Sequence, residues 1–164
     1  MIMLLRAGIL FVLLLMGTLA GFFFSFSFVT MPGLDQTNAI AAIESMQGIN
    51  RAVRNAVFFV PFFLTPVFAV GFAALGFWVG AKRSAIYLGA AALIYLVGGF
   101  ALTVGYHIPM NEALALVDAR ALGQGADQVW QTYSRDWTPL NTVRMLVCLL
   151  AMIPITLALY DTKD

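Results

Sequence analysis

Charge is scarce in this chain. Asp, Glu, Lys and Arg make up 10% of its 164 residues and hydrophobic residues 62%, whereas soluble domains carry about 25% charged residues. A fold wetted on every side is excluded. The formal net charge is +1 with no basic block, which argues against a nucleic-acid partner. Cysteine is limited to Cys148, inside an apolar run, so there is no internal disulfide and no CxxC pair. A lone buried thiol behaves as a small hydrophobe. Histidine is limited to His107. One histidine and one distant cysteine do not make the nitrogen and sulfur sets that hold zinc or copper, and a bis-histidine haem would need a second ring. The eight methionines are scattered and no phosphate-cradling glycine loop is present. No metal site and no other cofactor is expected.

What the chain has instead is long apolar runs. Four of them, at 8–29, 56–81, 85–106 and 140–160, approach or exceed the ~20 residues that cross a ~30 Å hydrocarbon core. In lipid the backbone must satisfy its own hydrogen bonds, so such runs are helices. The sequence predicts an all-α fold: an integral membrane four-helix bundle forming a single membrane domain over 1–164. The first run outlasts the ~7–15 residue core of a signal peptide and is read as a retained helix, even though Thr18-Leu19-Ala20 resembles a cleavage site.

Lys82 and Arg83 occupy a short turn, with Arg6 before the first span and Lys163 after the last. The positive-inside rule then puts both termini in the cytoplasm, with a bacterial inner membrane as the expected location. The long connections, 30–55 and 107–139, face outward. Each is expected to hold a short amphipathic helix. In one, Ala42, Met46, Ile49 and Val53 recur at helical spacing, along the membrane surface or as an extension of the second span. The other runs from Asn111 to Leu122, before Gly123-Gln124-Gly125. Trp130, Tyr133 and Trp137 read as interfacial aromatics.

Gly17, Gly21 and Ser25, and likewise Gly76 and Gly80, place small residues on one helix face, which permits close packing within a bundle or in a homo-oligomer. Pro61, Pro66 and Pro154 are expected to kink their helices. A faint repeat pairs Thr30-Met31-Pro32 with His107-Ile108-Pro109, and Asn50…Val53-Arg54 with Asn141…Val143-Arg144. It suggests two helix pairs related by an axis along the membrane normal, although chance explains it equally well.

The polar residues gather at two places that meet at one end of the bundle. His107 is the only side chain whose ordinary pKa lies near neutrality, so it is the candidate general base; the plainer alternative is a histidine hydrogen-bonded at a helix end. Asn111 shares its face if Pro109 opens the following helix, or it merely stabilises that turn. Arg144 sits a turn inside the last span, where an ionisable residue is by default a functional candidate. Its candidate partners are Glu112, Asp136 or a bound anion, and snorkelling beside a tryptophan is the alternative. Trp137, Asn141 and Arg144 fall at i, i+4, i+7 on one face. Arg51 and Arg54 add positive potential or anchor the interface.

Gly21-Phe22-Phe23-Phe24 with Pro32, the Ile108-Pro109-Met110-Asn111 turn, and Trp137…Asn141…Arg144 together resemble the anthrone oxygenase-like family of small four-helix membrane proteins. The resemblance implies oxidation of an anthrone-like or other hydrophobic polyphenol to a quinone by O2, without metal or flavin. In that reading His107 removes a proton, while Arg144, Asn141 and Asn111 stabilise the oxyanion. Trp137 stacks on the flat substrate, and Arg51 and Arg54 assist its binding. The alternative is a noncatalytic membrane protein that holds a lipid, quinone or partner helix in the same pocket. Expected partners are membrane lipid and a hydrophobic aromatic small molecule. A pore is disfavoured because too few polar residues could line it.

Overall fold

The computed structural model describes Met1–Thr162; Lys163, on which part of the charge argument rests, lies outside the described residues. Helices α1 (Ile2–Asp35), α3 (Ala56–Trp78), α4 (Lys82–Ala115) and α6 (Gly125–Asp161) are each long and apolar enough to cross a membrane. Among the described residues there is no strand. Two shorter helices, α2 (Ala39–Ala52) and α5 (Ala119–Leu122), sit in the two long connections. The fold is the expected four-helix bundle of an integral membrane protein.

A stripe at spacings of three and four holds the bundle together. On α1 it is Leu5, Ile9, Val12, Met16, Leu19 and Phe23, all at or near zero exposure. On α4 it is Ala85, Leu88, Ala92, Tyr95 and Gly99, and on α6 Asn141, Met145, Cys148, Ala151, Ile155 and Ala158. Such near-heptad spacing keeps one seam inward in a left-handed bundle. The opposite faces expose Leu14, Val57, Val67, Leu93, Val97 and Ile153, apolar side chains that suit a lipid-facing surface. Neighbouring spans run antiparallel. Arg6, early in α1, donates to the carbonyl of Thr162 after α6, and Ser84 at the start of α4 donates to Ala158 near the end of α6 at 2.9 Å.

The α3–α4 connection turns through Gly80 at φ +83°, a backbone region that costs an L side chain energy. Gly80 is thus a turn residue and not part of a helix face. Gly76 does serve close packing: a Cβ there would lie 3.1 Å from that of Ala85. Gly21 and Ser25 stay exposed.

Three helices outrun the sequence expectation. α6 starts at Gly125 and passes through Pro139, and at ~1.5 Å per residue its 37 residues exceed the ~30 Å hydrocarbon core by a wide margin. The reason is that its stripe continues N-terminally through Ala126, Trp130, Tyr133 and Trp137, all buried. The ends of α1 and α4 project at the same end of the bundle. There α2 and α5 pack on them in a second apolar cluster that includes Met31, Ile43, Met46, Leu114 and Trp130. Trp130 and Tyr133 are core residues of this head layer, correcting their reading as an interfacial belt. Trp130 Nε1 donates to Asp35 at 2.9 Å.

The expected helix 111–122 is split: its first part completes α4, and Asp118 then caps α5, accepting from the backbone N–H groups of Arg120 and Ala121. α2 is not an extension of α3, because the chain breaks between them and Asn55 caps α3 by accepting from Phe58 N–H at 3.1 Å. Gln47 fastens α2 to the end of α4, donating to the carbonyls of Leu114 and Val117, both at 2.9 Å. Both carbonyls lie where the helix runs out, and that of Leu114 also accepts from the Val117 N–H at 3.1 Å.

Four π-helical turns, with hydrogen bonds one residue wider than in the α-helix, interrupt the spans at 26–30, 60–64, 96–100 and 103–107. The turn at 60–64 has a local cause and a local repair. Pro66 offers no N–H to the carbonyl of Phe62 four residues back, and the Tyr95 hydroxyl of α4 donates to that carbonyl at 2.8 Å. Thr65 Oγ1 likewise donates to the carbonyl of Pro61. The first and last turns end immediately before Met31-Pro32 and Ile108-Pro109, so the two halves of the faint repeat share a backbone device.

Candidate functional site

Where the bundle meets the head layer, a cavity of about 340 Å³ opens between α1, α2, α3, α4 and α6. Its walls are aromatic: Phe22, Phe23 and Phe26 from α1, Phe58, Phe59, Phe62 and Phe63 from α3, and Trp137 from α6. Three of the four π turns contribute to it, through Phe26, through Phe62 and Phe63, and through Thr103 and His107. Such turns are frequent at functional sites.

His107 is 1% exposed. The widened turn lets its Nδ1 reach the carbonyl of Leu102, five residues back, at 3.2 Å. A carbonyl can only accept, so the neutral ring carries its proton on Nδ1. Nε2 is then the basic nitrogen, and it has no hydrogen-bond partner. The Trp137 backbone also interacts with the ring but falls short of hydrogen-bond geometry at Nε2. The Trp137 indole stands edge-on to the imidazole, centroids 5.1 Å apart.

Arg144 is 5% exposed. Its Nη1 donates to Thr103 Oγ1 at 3.0 Å and its Nη2 to Asn141 Oδ1 at 2.7 Å, while Nε has no partner. The guanidinium lies 4.4 Å from the ring centroid of Phe23 and 5.4 Å from that of Trp137. Neither expected carboxylate pairs with it. Glu112 pairs with Arg54, and Asp136 with its neighbour Arg135 at 2.8 Å. Thr103 and Asn141 hold the guanidinium instead. Snorkelling is also ruled out, because the head group is buried. Charge in such a place is costly unless a counter-charge arrives.

Asn141 does not line the cavity. Its Nδ2 donates to the Phe23 carbonyl and to Ser27 Oγ, both at 2.7 Å, so no N–H remains for an oxyanion. The expected oxyanion donor is in fact a brace that aims Arg144 and ties α6 to α1. Asn111 does line the cavity, and its Oδ1 accepts from Tyr133 Oη at 2.8 Å and Trp137 Nε1 at 3.0 Å. An indole N–H can only donate, which fixes the amide orientation and leaves its NH2 free of these two contacts. Pro109 does sit in the first turn of that segment.

Arg54 and Glu112 line the mouth as a half-exposed ion pair. Arg51 is exposed and not among the lining residues, because it falls on the outward side of α2. Asn50 and Thr103 line the cavity and were not anticipated. Thr103 carries a signal in its spacing, four residues before His107. Asn50 carries one in its place, four residues after Met46 on the buried stripe of α2.

Among the described residues four buried side-chain polar atoms lack a partner, and three belong to this one cavity: Asn50 Nδ2, His107 Nε2 and Arg144 Nε. Buried polar groups are normally satisfied, so the clustering makes this cavity the candidate functional site.

The architecture defines a small helical membrane protein with a buried, aromatic, cationic cavity. The family model described as anthrone oxygenase matches residues 50–154, and the chain belongs to that family. The matched stretch holds every candidate residue named above from Asn50 to Arg144, whereas the α1 wall, with Phe22, Phe23 and Phe26, precedes it. No curated protein and no solved structure matches the chain.

Proposed function

We propose that this protein is a membrane oxygenase that converts a flat ring ketone of anthrone type to its quinone with O2. The observation that carries this reading is the pairing, in one aromatic cavity, of an unpartnered imidazole nitrogen with a buried arginine that has no carboxylate. His107 Nε2 removes a proton from the ring methylene, and the electron pair moves onto the ketone oxygen. Arg144 meets the resulting negative charge, which supplies the counter-charge it lacks. A preorganised donor in a water-excluded site is worth most to such a developing oxyanion.

The electron-rich enolate reduces O2 by one electron, and recombination at the former methylene forms the C–O bond of a peroxide. Protonation gives a hydroperoxide. Loss of the remaining C–H proton and cleavage of O–O then release water and leave the second ketone. One O2 is consumed, one oxygen atom enters the product and the other leaves as water. The volume lies near the lower end of the ~300–1,000 Å³ common for ligand pockets, suited to one compact polycycle stacked on Trp137.

The membrane is a bacterial inner membrane in this reading, with the end carrying Arg6, Lys82 and Arg83 in the cytoplasm. The cavity then lies toward the outer face. A cysteine introduced at Arg83 should react with an impermeant maleimide only after the membrane is opened; reaction in intact cells would reverse the orientation.

The test of activity is oxygen uptake by detergent-solubilised protein supplied with emodin anthrone, compared with spontaneous oxidation. Turnover lost in His107→Ala and Arg144→Ala supports the oxygenase. Rates at background for all three, with tight quinone binding, would instead favour the noncatalytic binding protein.

A further inference from the structure

Asn50 is the unpartnered polar group that the proposed chemistry leaves unused. It sits on α2, the helix that covers the cavity from the head layer, and is 8% exposed. Its neighbours on the buried stripe, Ala42, Ile43 and Met46, pack into the apolar head cluster, so a leucine would be the expected occupant. The position holds an amide, it lines the cavity, and its Nδ2 makes no hydrogen bond. The Tyr133 hydroxyl interacts with this amide and, having given its own hydrogen to Asn111, keeps an oxygen able to accept; it lies outside hydrogen-bond geometry at Nδ2.

Three free polar atoms therefore come from three different helices: an acceptor on α4 at His107, a charged donor on α6 at Arg144 and a neutral donor on α2 at Asn50. The reaction accounts for the first two. A desolvated donor left empty is costly, so a site that presents one discriminates strongly against ligands that cannot fill it.

We infer that Asn50 is a specificity-determining residue that recognises a second oxygen on the substrate ring, such as a phenolic hydroxyl remote from the reacting ketone. This inference rests on the oxygenase reading of the cavity. It assigns recognition of one hydroxyl of a polyphenolic ring ketone to α2, and it makes that helix part of the binding site rather than a passive cover.

Binding can be read apart from turnover through quenching of Trp137 fluorescence, with a Trp130→Phe background to reduce other emission. The probes are anthraquinone and its 1-hydroxy and 2-hydroxy derivatives, offered to the full-length protein in detergent. At least one hydroxy probe should bind roughly tenfold tighter than the parent, and Asn50→Leu and Asn50→Ala should each bring that ratio to about one. A loosened α2 would weaken all probes alike and leave the ratio standing, so the ratio separates recognition from structure. No preference in the unmodified protein, or a preference that survives both substitutions, overturns the inference. If the unmodified protein still oxidises an anthrone in that case, the oxygenase reading stands. Absence of both turnover and binding removes the two together.

Discussion

Asn141 holds Arg144 from three residues away on the same helix, accepting from Nη2 at 2.7 Å while its own NH2 grips the Phe23 carbonyl and Ser27 of α1. The bundle thus uses one neutral amide to keep a cation buried where no acidic side chain compensates it. An arrangement of that kind costs stability, and function is the usual reason for keeping it.

Replacing the cation should separate the two properties. Arg144→Met keeps the unbranched apolar stem and removes the buried charge, so the thermal midpoint in detergent should hold or rise even though Asn141 Oδ1 loses its donor, since apolar replacement of a buried charge is often neutral or stabilising. Turnover should fall by about 10²–10³-fold, the typical loss of one oxyanion donor. A variant that melts well below the unmodified protein would mean that Arg144 serves the fold first.

Asn141→Leu should act differently. It removes the brace without touching the cavity wall, leaving Arg144 present but unaimed and its Nη2 unpaired. We expect kcat to drop at least tenfold with KM little changed, together with a loss of about 1–3 kcal/mol in stability for the orphaned partners. A rise in KM at constant kcat would place Asn141 in substrate contact, against its position behind the wall.

The four spans and the two polar gatherings were legible in the sequence because lipid enforces them: apolar length means helix, and a charge in such a run stands out. The head layer was less legible. Its stripe on α6, Ala126, Trp130, Tyr133 and Trp137, has the same spacing as the stripe below it, but amphipathic aromatics near a span also suit an interface, and hydropathy gives no sign that α2 covers them. The role of Asn141 was hidden for another reason. Its place beside Arg144 on one helix face is correct, yet only the partners across on α1 reveal that its donors are already taken. The π turns leave little sequence trace beyond nearby prolines.

α4 and α6 approach closely at Gly98. A methyl placed there would lie 2.5 Å from Val147 Cγ2 and 2.9 Å from Cγ1, nearer than side chains pack. Gly98→Ala should therefore destabilise by about 1–3 kcal/mol, the usual cost of overpacking. Val147→Ala in the same chain should recover most of it. Thermal melts of the two single variants and the double variant decide this: additive losses would show that the helices do not meet at this point.

The head layer should respond to acid through Glu44 on α2. Glu44 accepts from Arg120 Nε of α5 at 2.7 Å, and that hydrogen bond holds its carboxyl below the ordinary value of 4.5, with the Arg120 charge adding to it. A carboxylate whose pKa is lower in the folded state stabilises that state above the unfolded value, and the contribution disappears as pH falls through the folded value. Glu44→Gln should therefore speed amide hydrogen exchange in α2 at pH 7, and the difference from the unmodified protein should vanish near pH 3. Because both groups are solvent-exposed, added salt should shrink the effect at neutral pH as well. A difference that persists unchanged at pH 3 would show that Glu44 acts through packing and not through its charge, and that the tie between α2 and α5 does not depend on this ion pair.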